Sequence, residues 1–257
     1  MDRPLVQYLI DVTNSRSIEE LWDKHCRKMR EYGFDKLLYG FTHFSTPTGF
    51  GNADDCIVLA NHSNDYIEKF VKTGLFLNAP MVKWAVENEG WTSWSIVQER
   101  IERGEICEKG LDVLKFNQEY GVTAGYTISF KAMSQRSRGA IALTAGENIS
   151  QDKIDEVWDE HGNDIVLLNN VVHLKILSLP YTTMSGRRLT KRQREALEWV
   201  GDGKTTQDIA ILMGLTPATV EKHLRLARET MGVETTAQAV LKAAFQNQMF
   251  TIGLDDA

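Results

Sequence analysis

Side chains that could contact DNA recur at helical spacing near the C-terminal end of this 257-residue chain. In the predicted helix that follows Thr216, the apolar residues Val220, Leu224 and Ala227 share one side. The opposite side is polar and basic and carries Thr219, Glu221, Lys222, Arg225 and, one turn further on, Arg228. A helix fits the major groove of DNA, where arginine can donate two hydrogen bonds to a guanine edge. The spacing therefore predicts a helix that reads DNA.

A second, shorter helix is predicted directly before it, over residues 206–213. Gly214 supplies the turn, Thr216 can cap the next helix, and Pro217 occupies its first position, where a missing N–H costs nothing. The small Ala210 and a glycine four residues later allow the close crossing of a helix-turn-helix motif. The alternative interpretation is a plain helical hairpin with solvated charges. The glycine, the cap and the spacing argue against it.

The charge of the chain is divided unevenly. The whole chain carries −6, but residues 185–252 hold 10 Lys and Arg against 7 Asp and Glu, a balance of +3. Residues 1–184 hold 19 against 26, a balance of −7. Within 187–194, five of eight residues are basic and none is acidic. A balance of +3 alone is compatible with chance, but such asymmetry is typical of a nucleic-acid-binding module.

No spacing in the sequence is typical of catalysis or of a metal site. Gly203-Lys204-Thr205 imitates the end of a phosphate-binding loop, but the first glycine of that motif would fall on Glu198. The chain has no GxSxG nucleophile elbow, and its six histidines lack metal-ligand spacing. Its three cysteines are odd in number and far apart, which argues against a disulfide framework. We therefore predict no enzyme activity, no catalytic residue, no cofactor and no metal.

Composition and length favour a two-domain protein of the cytoplasm. With 42% hydrophobic and 25% charged residues the sequence is typical of soluble globular proteins. Its start lacks the pattern of a signal peptide, and no apolar run approaches the roughly 20 residues of a membrane helix. The predicted partners therefore include no membrane.

Hydrophobic periodicity distinguishes a mixed N-terminal part from a helical C-terminal part. Helices are predicted over 18–30, 65–73, 79–88, 108–119 and 152–179, and strands over 36–44, 56–60, 123–132 and 139–144. Helices before, between and after the strands favour a sheet covered on both faces. Pro180 and Gly186 indicate a linker over 178–188.

The C-terminal part resembles the DNA-binding domain of LuxR-type regulators. The matching residues are Leu189-Thr190, Arg192, Leu197, Trp199, Gly203-Lys204-Thr205, Ile209-Ala210, Thr219-Val220, His223 and Gln238-Ala239-Val240. The resemblance implies a four-helix domain that binds a palindromic double-stranded site as a homodimer, with the last helix contributing to dimer contact. It also implies base contacts from Glu221 and Arg225, and a glutamate at that place could accept from a cytosine amino group. The implied phosphate contacts are Lys204, Thr219 and Lys222.

The N-terminal part resembles, more loosely, the autoinducer-binding domain of the quorum-sensing branch of that family. Trp94 occupies the place of the tryptophan that hydrogen-bonds the lactone carbonyl, Pro80 matches the proline of an Asp-Pro pair, and Gly125 matches a turn glycine. The predicted fold is therefore α+β: an N-terminal α/β/α sandwich with a mostly antiparallel sheet (1–177), a linker (178–188) and a four-helix helix-turn-helix domain (189–252).

Several polar anchors of that family differ in this chain. Tyr66 and Phe70 stand in place of Trp and Tyr, Ala79 in place of the Asp that accepts the ligand amide N–H, and His62 in place of a tyrosine. An acyl-homoserine lactone would then bury an unpaired amide at a cost of about 1–3 kcal/mol, unless Asn78 accepts instead. The predicted ligand-contacting residues are His62, Tyr66, Phe70, Asn78, Ala79, Trp94 and Tyr126.

These residues predict a transcriptional regulator controlled by a small apolar signal, either an acyl-homoserine lactone or a variant ligand, with RNA polymerase as a possible partner. An alternative is a solo regulator of the same family that binds DNA with another signal or with none. An alternative of another class is a signal-processing enzyme fused to a DNA-binding module. That enzyme would need a nucleophile with a base, or a metal, and the sequence offers neither.

Overall fold

A computed structural model describes residues 3–45, 55–132, 134–183, 186 and 188–250. The glycine-rich stretch 46–52 (TPTGFGN) and the tail 251–257 lie outside these residues. The chain divides into two compact units, Met1–Ile176 and Leu177–Ala257. This boundary falls next to residue 177, where the predicted N-terminal domain ends.

The first unit combines helices with one five-stranded sheet. Its elements are α1 (Arg3–Thr13), α2 (Ile18–Glu31), β1 (Phe34–Thr42), β2 (Ile57–Ala60), α3 (Asn64–Ile67), a π-helical turn (Glu68–Lys72), a 3₁₀ turn (Leu75–Asn78), α4 (Pro80–Glu87), β3 (Gly90–Ser93), α5 (Ser95–Glu102), α6 (Glu108–Glu119), β4 (Gly125–Ser129), β5 (Arg138–Ala145) and α7 (Gln151–Ser178). The strand order is β2-β1-β5-β4-β3, and every neighbouring pair is antiparallel. The predicted α+β class and antiparallel sheet are confirmed.

Three elements of this unit were not predicted: α1, β3 and α5. Helix α5 buries no residue and so gives little helical signal, whereas α1 carries Leu5, Leu9 and Val12 at helical spacing and was missed although that signal is present. Strand β3 has four residues, GWTS, and pairs with β4 alone at the edge of the sheet. Such an edge strand lacks the alternation that predicts a strand, because only its pairing partner holds it in the sheet.

Helix α7 packs on one face of the sheet. Tyr126 of β4 stacks on Trp158 of α7 with ring centroids 3.8 Å apart, and Tyr39 of β1 bonds Nδ1 of His173 at 2.9 Å. Because side chains alternate along a strand, the neighbours of these residues point to the opposite face. The sequence of each strand therefore serves two faces with different chemistry.

The described residues of the second unit form helices and their connections and contain no strand. Its elements after the end of α7 are α8 (Lys191–Gly201), α9 (Thr206–Met213), α10 (Pro217–Met231) and α11 (Thr236–Phe245). Thr216 caps α10 by accepting from the N–H of Thr219, and Gly214 ends α9 at φ 66°, as expected of these residue types. Val220, Leu224 and Ala227 are buried, as the helical spacing predicted.

Gln193 completes a capping box at the start of α8. Gln193 is the third residue of α8, and its Oε1 accepts from the N–H of Thr190 at 2.9 Å, while the Thr190 hydroxyl accepts from the Gln193 N–H. This is a capping box, in which Gln and Glu supply the same acceptor.

Residues at the C-terminal end of the described chain form hydrogen bonds to the start of the predicted linker, and both segments belong to the second unit. Nδ2 of Asn247 donates to the carbonyls of Leu177 and Leu179 at 2.7 and 3.0 Å. Nε2 of Gln248 donates to the carbonyl of Tyr181 at 3.1 Å. Residues 177–181 are therefore a hydrogen-bonded part of this unit.

Candidate functional site

The sheet face opposite α7, here called the small-residue face, is lined mainly by small or hydroxylated side chains. By register and alternation these are Gly40, Thr42, Ala60, Gly125, Thr127, Ser129, Ala140, Ala142 and Thr144, and the larger side chains of Lys36, Leu38, Val58 and Arg138 lie on the same face. Ser129 Oγ donates to the carbonyl of Ala85 in α4 at 2.7 Å, which places α4 over this face. Within the described residues the buried Oγ1 of Thr144 has no hydrogen-bond partner. The face therefore combines a flat apolar floor with hydroxyl groups.

Gly125 begins β4 where a side chain has no room. Its φ is 154°, and a Cβ atom there would lie 2.1 Å from the carbonyl oxygen of Leu143. The N–H of Gly125 donates to Oε1 of Gln151 at 2.9 Å, which ties the strand to α7. Close approach between β4 and β5 thus requires glycine at this position.

Trp94 lies at the edge of the small-residue face and has an internal partner. Its Nε1 donates to Oγ1 of Thr127 at 2.9 Å, and its backbone N–H donates to the carbonyl of Gly125 at 3.0 Å. The indole N–H that the family resemblance assigns to a ligand carbonyl is therefore bonded to a β4 hydroxyl. Sequence reasoning missed Thr127, because a contact across 33 residues leaves no local signal.

His62, Tyr66 and Phe70 form a column of rings. The centroids of His62 and Tyr66 are 4.4 Å apart and those of Tyr66 and Phe70 5.1 Å, both pairs at 18° between planes. Phe116 of α6 stacks on Tyr66 at 5.5 Å, and the Tyr66 hydroxyl donates to Oδ1 of Asn117 at 3.1 Å. Three predicted ligand residues thus share one cluster, here called the aromatic column, in which Tyr66 and Phe70 are buried.

The π-helical turn and the end of α6 are tied together outside this column. Lys69 Nζ donates to the Tyr120 hydroxyl at 3.0 Å and pairs with Asp65 at 2.9 Å, and the Tyr120 hydroxyl donates to the same Asp65 carboxylate. Lys36 Nζ donates to the carbonyl of Tyr120 at 2.8 Å. The negative end of the α6 dipole also stabilises the positive charge of Lys36 at this place. These bonds position the aromatic column over the sheet.

Ala79 is the N-cap residue of α4, and its buried side chain supplies no hydrogen bond to the helix. Asn78 ends the preceding 3₁₀ turn and is half-buried. Pro80 follows as the first residue of α4. The position at which the family places an acidic acceptor is therefore both a buried site and an uncapped helix start.

Tyr126 lies on the other side of the sheet from the predicted ligand residues Trp94 and Ala79. Its hydroxyl donates to Oδ1 of Asp155 at 2.5 Å, and its ring stacks on Trp158. Tyr126 follows Gly125 on the strand and so points toward α7, whereas Thr127 points to the small-residue face. Trp91 packs beside the same Trp158 with a centroid distance of 5.3 Å.

Three histidines are held in the neutral form: His25 and His173 are buried, and His62 is half-buried. Burial lowers the pKa of His25, His62 and His173 to about 4, and Lys36 contributes at His62. His25 lies between the Tyr8 hydroxyl at 2.9 Å and Oδ1 of Asn169 at 3.0 Å. A neutral ring satisfies both partners, because one nitrogen donates while the other accepts.

We therefore expect the free energy of unfolding to decrease as the pH falls from 7 to 5. The unfolded chain binds protons at these histidines near pH 6.5, whereas the folded chain does so only near pH 4. Between these pH values the unfolded state holds more protons than the folded state. The free energy of unfolding therefore decreases by up to about 1.4 kcal/mol for each histidine when the pH is lowered by one unit. Urea unfolding at pH 7, 6 and 5 measures this slope. His173→Gln should reduce it, and a flat profile would contradict neutral burial.

Three of the predicted DNA-contacting residues lie on the exposed side of α10. Glu221, Lys222 and Arg225 are exposed. Arg225 pairs with Glu229, and Glu221 Oε1 accepts from the hydroxyl of Thr206 in α9 at 3.1 Å. The structure therefore brings these three predicted residues onto one surface and adds Thr206, which the sequence analysis did not single out.

The remaining predicted DNA contacts lie around that surface. Thr219 Oγ1 shares a hydrogen bond with the cap hydroxyl of Thr216 at 2.9 Å. Arg228 is half-buried and donates to the hydroxyl of Thr236 in α11 at 2.9 Å. Lys204 is exposed immediately before α9. Arg228 thus links α10 to α11, and Lys204 and Thr219 flank the starts of α9 and α10.

The described residues lack both a metal-binding cluster and a membrane-spanning helix. They contain no group of three or more His, Cys, Asp or Glu placed to hold a metal ion. None of the described helices is long and apolar enough to cross a membrane.

Comparison with known proteins agrees with the two-part architecture. Residues 17–176 match the autoinducer binding domain family, and residues 187–243 match the bacterial regulatory proteins of the luxR family. The transcriptional activator protein ExpR of Dickeya dadantii (strain 3937) is 22% identical over 240 residues, covering 88% of this chain and 90% of ExpR. The transcriptional activator protein LuxR of Aliivibrio fischeri is 23% identical over 194 residues, covering 74% of this chain and 73% of LuxR.

A solved structure supports the fold of the first unit. CepR2 from Burkholderia cenocepacia, described as an N-acylhomoserine-lactone-dependent LuxR-family transcription factor, aligns with a TM-score of 0.50 at 14% identity. The alignment covers 68% of this chain and 94% of CepR2. The chain belongs to the LuxR family of quorum-sensing transcriptional regulators, with an autoinducer-binding domain before a DNA-binding helix-turn-helix domain, and members of this family are regulators rather than enzymes.

Proposed function

We propose that this regulator binds a small, largely apolar signal between the small-residue face and the elements α3 to α6, and that the bound signal controls binding of a palindromic DNA site. The observation that carries this proposal is the composition of that face. Glycine and alanine leave room above the strands, while Thr127, Ser129 and the unpartnered Thr144 hydroxyl offer hydrogen bonds. A few polar groups on an apolar wall are typical of small-molecule sites.

The proposed ligand-contacting residues are His62, Tyr66, Phe70, Asn78, Ala79 and Trp94, with Thr127 in place of Tyr126. The proposed DNA-contacting residues are Lys204, Thr219, Glu221, Lys222, Arg225 and Arg228. A signal that binds only the folded first unit stabilises it by mass action, which would couple ligand concentration to the amount of active regulator.

We further propose that the active form is a homodimer in the cytoplasm, with RNA polymerase as a possible partner at the promoter. Leu241 and Phe245 of α11 are 52% and 40% exposed, which supports dimer contact through the last helix. Leu167 and Leu174 of α7 are also exposed, and they lie one heptad apart. An exposed apolar stripe on a helix is typical of a contact with another chain.

A second candidate function is a solo regulator that needs no acyl-homoserine lactone. Two observations favour it: Ala79 supplies no acceptor for an amide N–H, and the Trp94 N–H is bonded to Thr127. Of the two groups that would anchor a lactone ligand, the acceptor at residue 79 is therefore absent and the indole N–H of Trp94 is already bonded within the protein.

Thermal unfolding with a panel of acyl-homoserine lactones separates the two candidates. If one lactone binds, at 100 times its Kd it stabilises the folded chain by about 2.7 kcal/mol, which is a clear rise in Tm. A rise with any lactone supports the first candidate. No rise, with the protein folded and bound to DNA, supports the second.

A further inference from the structure

Two opposite charges on α10 are kept apart although their spacing would let them pair. Glu221 and Arg225 lie four residues apart on the exposed side of the helix, a separation at which Glu and Arg commonly form an ion pair. Each has another partner: Glu221 accepts from the Thr206 hydroxyl at 3.1 Å, and Arg225 pairs with Glu229. The acceptor and the donor are thus held separately on the DNA-facing surface.

Thr206 fixes the direction of the Glu221 carboxylate. Thr206 is the first residue of α9, which is itself anchored by the capping box of Thr205 and Asp208. Its hydroxyl donates to Oε1 of Glu221 at 3.1 Å, so Oε1 is engaged and Oε2 is the oxygen with which a base could form a hydrogen bond. A carboxylate on a DNA-binding surface is repelled by phosphates, and a contact that offsets this repulsion is acceptance from the amino group of cytosine.

We propose that each half-site contains a cytosine read by Glu221 and a guanine read by Arg225, one to two base pairs apart, and that Thr206 is a positioning residue for the cytosine contact. Four residues of helix span about 6 Å, and base pairs are stacked about 3.4 Å apart, which sets that separation. This inference rests on the proposed DNA-contacting surface of α10 and deepens it by naming two bases.

The test is selection of binding sites from a random duplex library by the full-length protein at one fixed salt concentration, with the lactone panel present. Wild type should recover sequences with a conserved G and C at the stated separation. Glu221→Gln should change the preferred base at the cytosine position to adenine, because glutamine pairs with the adenine edge. Thr206→Val should relax selection at that same position, while Thr206→Ser should retain it.

The expected discrimination for cytosine in the wild type is about tenfold to a hundredfold, and Thr206→Val should lose most of it. Glu234→Gln makes the same charge change beyond the end of α10 and should leave every base preference unchanged. A purely repulsive Glu221 would instead give tighter binding to all sequences on replacement, with no change of preferred base, and that result would overturn the inference. Recovery of no common sequence by the wild type would instead reject the proposed DNA-binding surface itself.

Discussion

Arg225→Ala is expected to lose sequence-specific DNA binding by about tenfold to a hundredfold, because a bidentate arginine–guanine contact contributes about 1–3 kcal/mol of discrimination. The variant should fold normally. Arg225 is exposed, and its ion pair with Glu229 lies at the surface, where such pairs contribute little to stability. The loss can therefore be assigned to the DNA contact.

Fluorescence anisotropy with a selected operator and a scrambled duplex at one salt concentration measures this effect. Affinity for the operator should fall much more than affinity for the scrambled duplex, because a base contact carries the specificity and phosphate contacts do not. Arg27→Ala removes an exposed arginine from α2, where it pairs with Asp23 four residues earlier, and serves as the matched control. An equal loss on both duplexes would show that Arg225 contacts phosphate and that the base-reading assignment is wrong.

The helix-turn-helix motif could be predicted from the sequence because its determinants are local. Each of these determinants acts on residues only a few positions away in the sequence. They are the N-cap residue Thr216, the left-handed Gly214 and the buried Val220 and Leu224. A local signal is enough when a turn and a cap set the angle between two consecutive helices.

The ligand site was predicted less completely because its contacts are not local. The Trp94–Thr127 bond joins residues 33 positions apart, and the bond from Tyr126 to Asp155 spans 29. Which face of the sheet a residue joins depends on strand register, since a shift of one position moves each side chain to the other face. The sequence alone therefore does not show that Tyr126 points to α7 and its neighbour Thr127 to the small-residue face.

Elements that bury little could not be predicted for a related reason. Helix α5 and strand β3 contain few or no buried residues, so their sequences lack the apolar period that distinguishes helix from strand. Strand β3 nevertheless positions Trp94, which follows directly after it. The element with the weakest signal thus carries one of the site residues.

Ala79→Asp is expected to raise the affinity for an acyl-homoserine lactone by about tenfold to a hundredfold, since it restores an acceptor for an amide N–H that otherwise is buried unpaired at about 1–3 kcal/mol. The fold should accept the change. Residue 79 is the N-cap of α4 in extended backbone, a position at which aspartate is among the preferred residues and the positive helix end favours its charge.

The measurement is the ligand-induced rise in Tm, compared between wild type and Ala79→Asp. Capping alone raises the Tm of the ligand-free variant, so only the increment on adding ligand is informative. The matched control is a lactone whose amide is replaced by an ester, which has the same shape but no N–H. A larger ligand-induced rise in Tm with the amide lactone, and no larger rise with the ester, would show that the missing hydrogen-bond acceptor is at residue 79. An equal gain with both compounds would contradict the hydrogen bond, and no gain with any lactone would show that the site is shaped for a different signal.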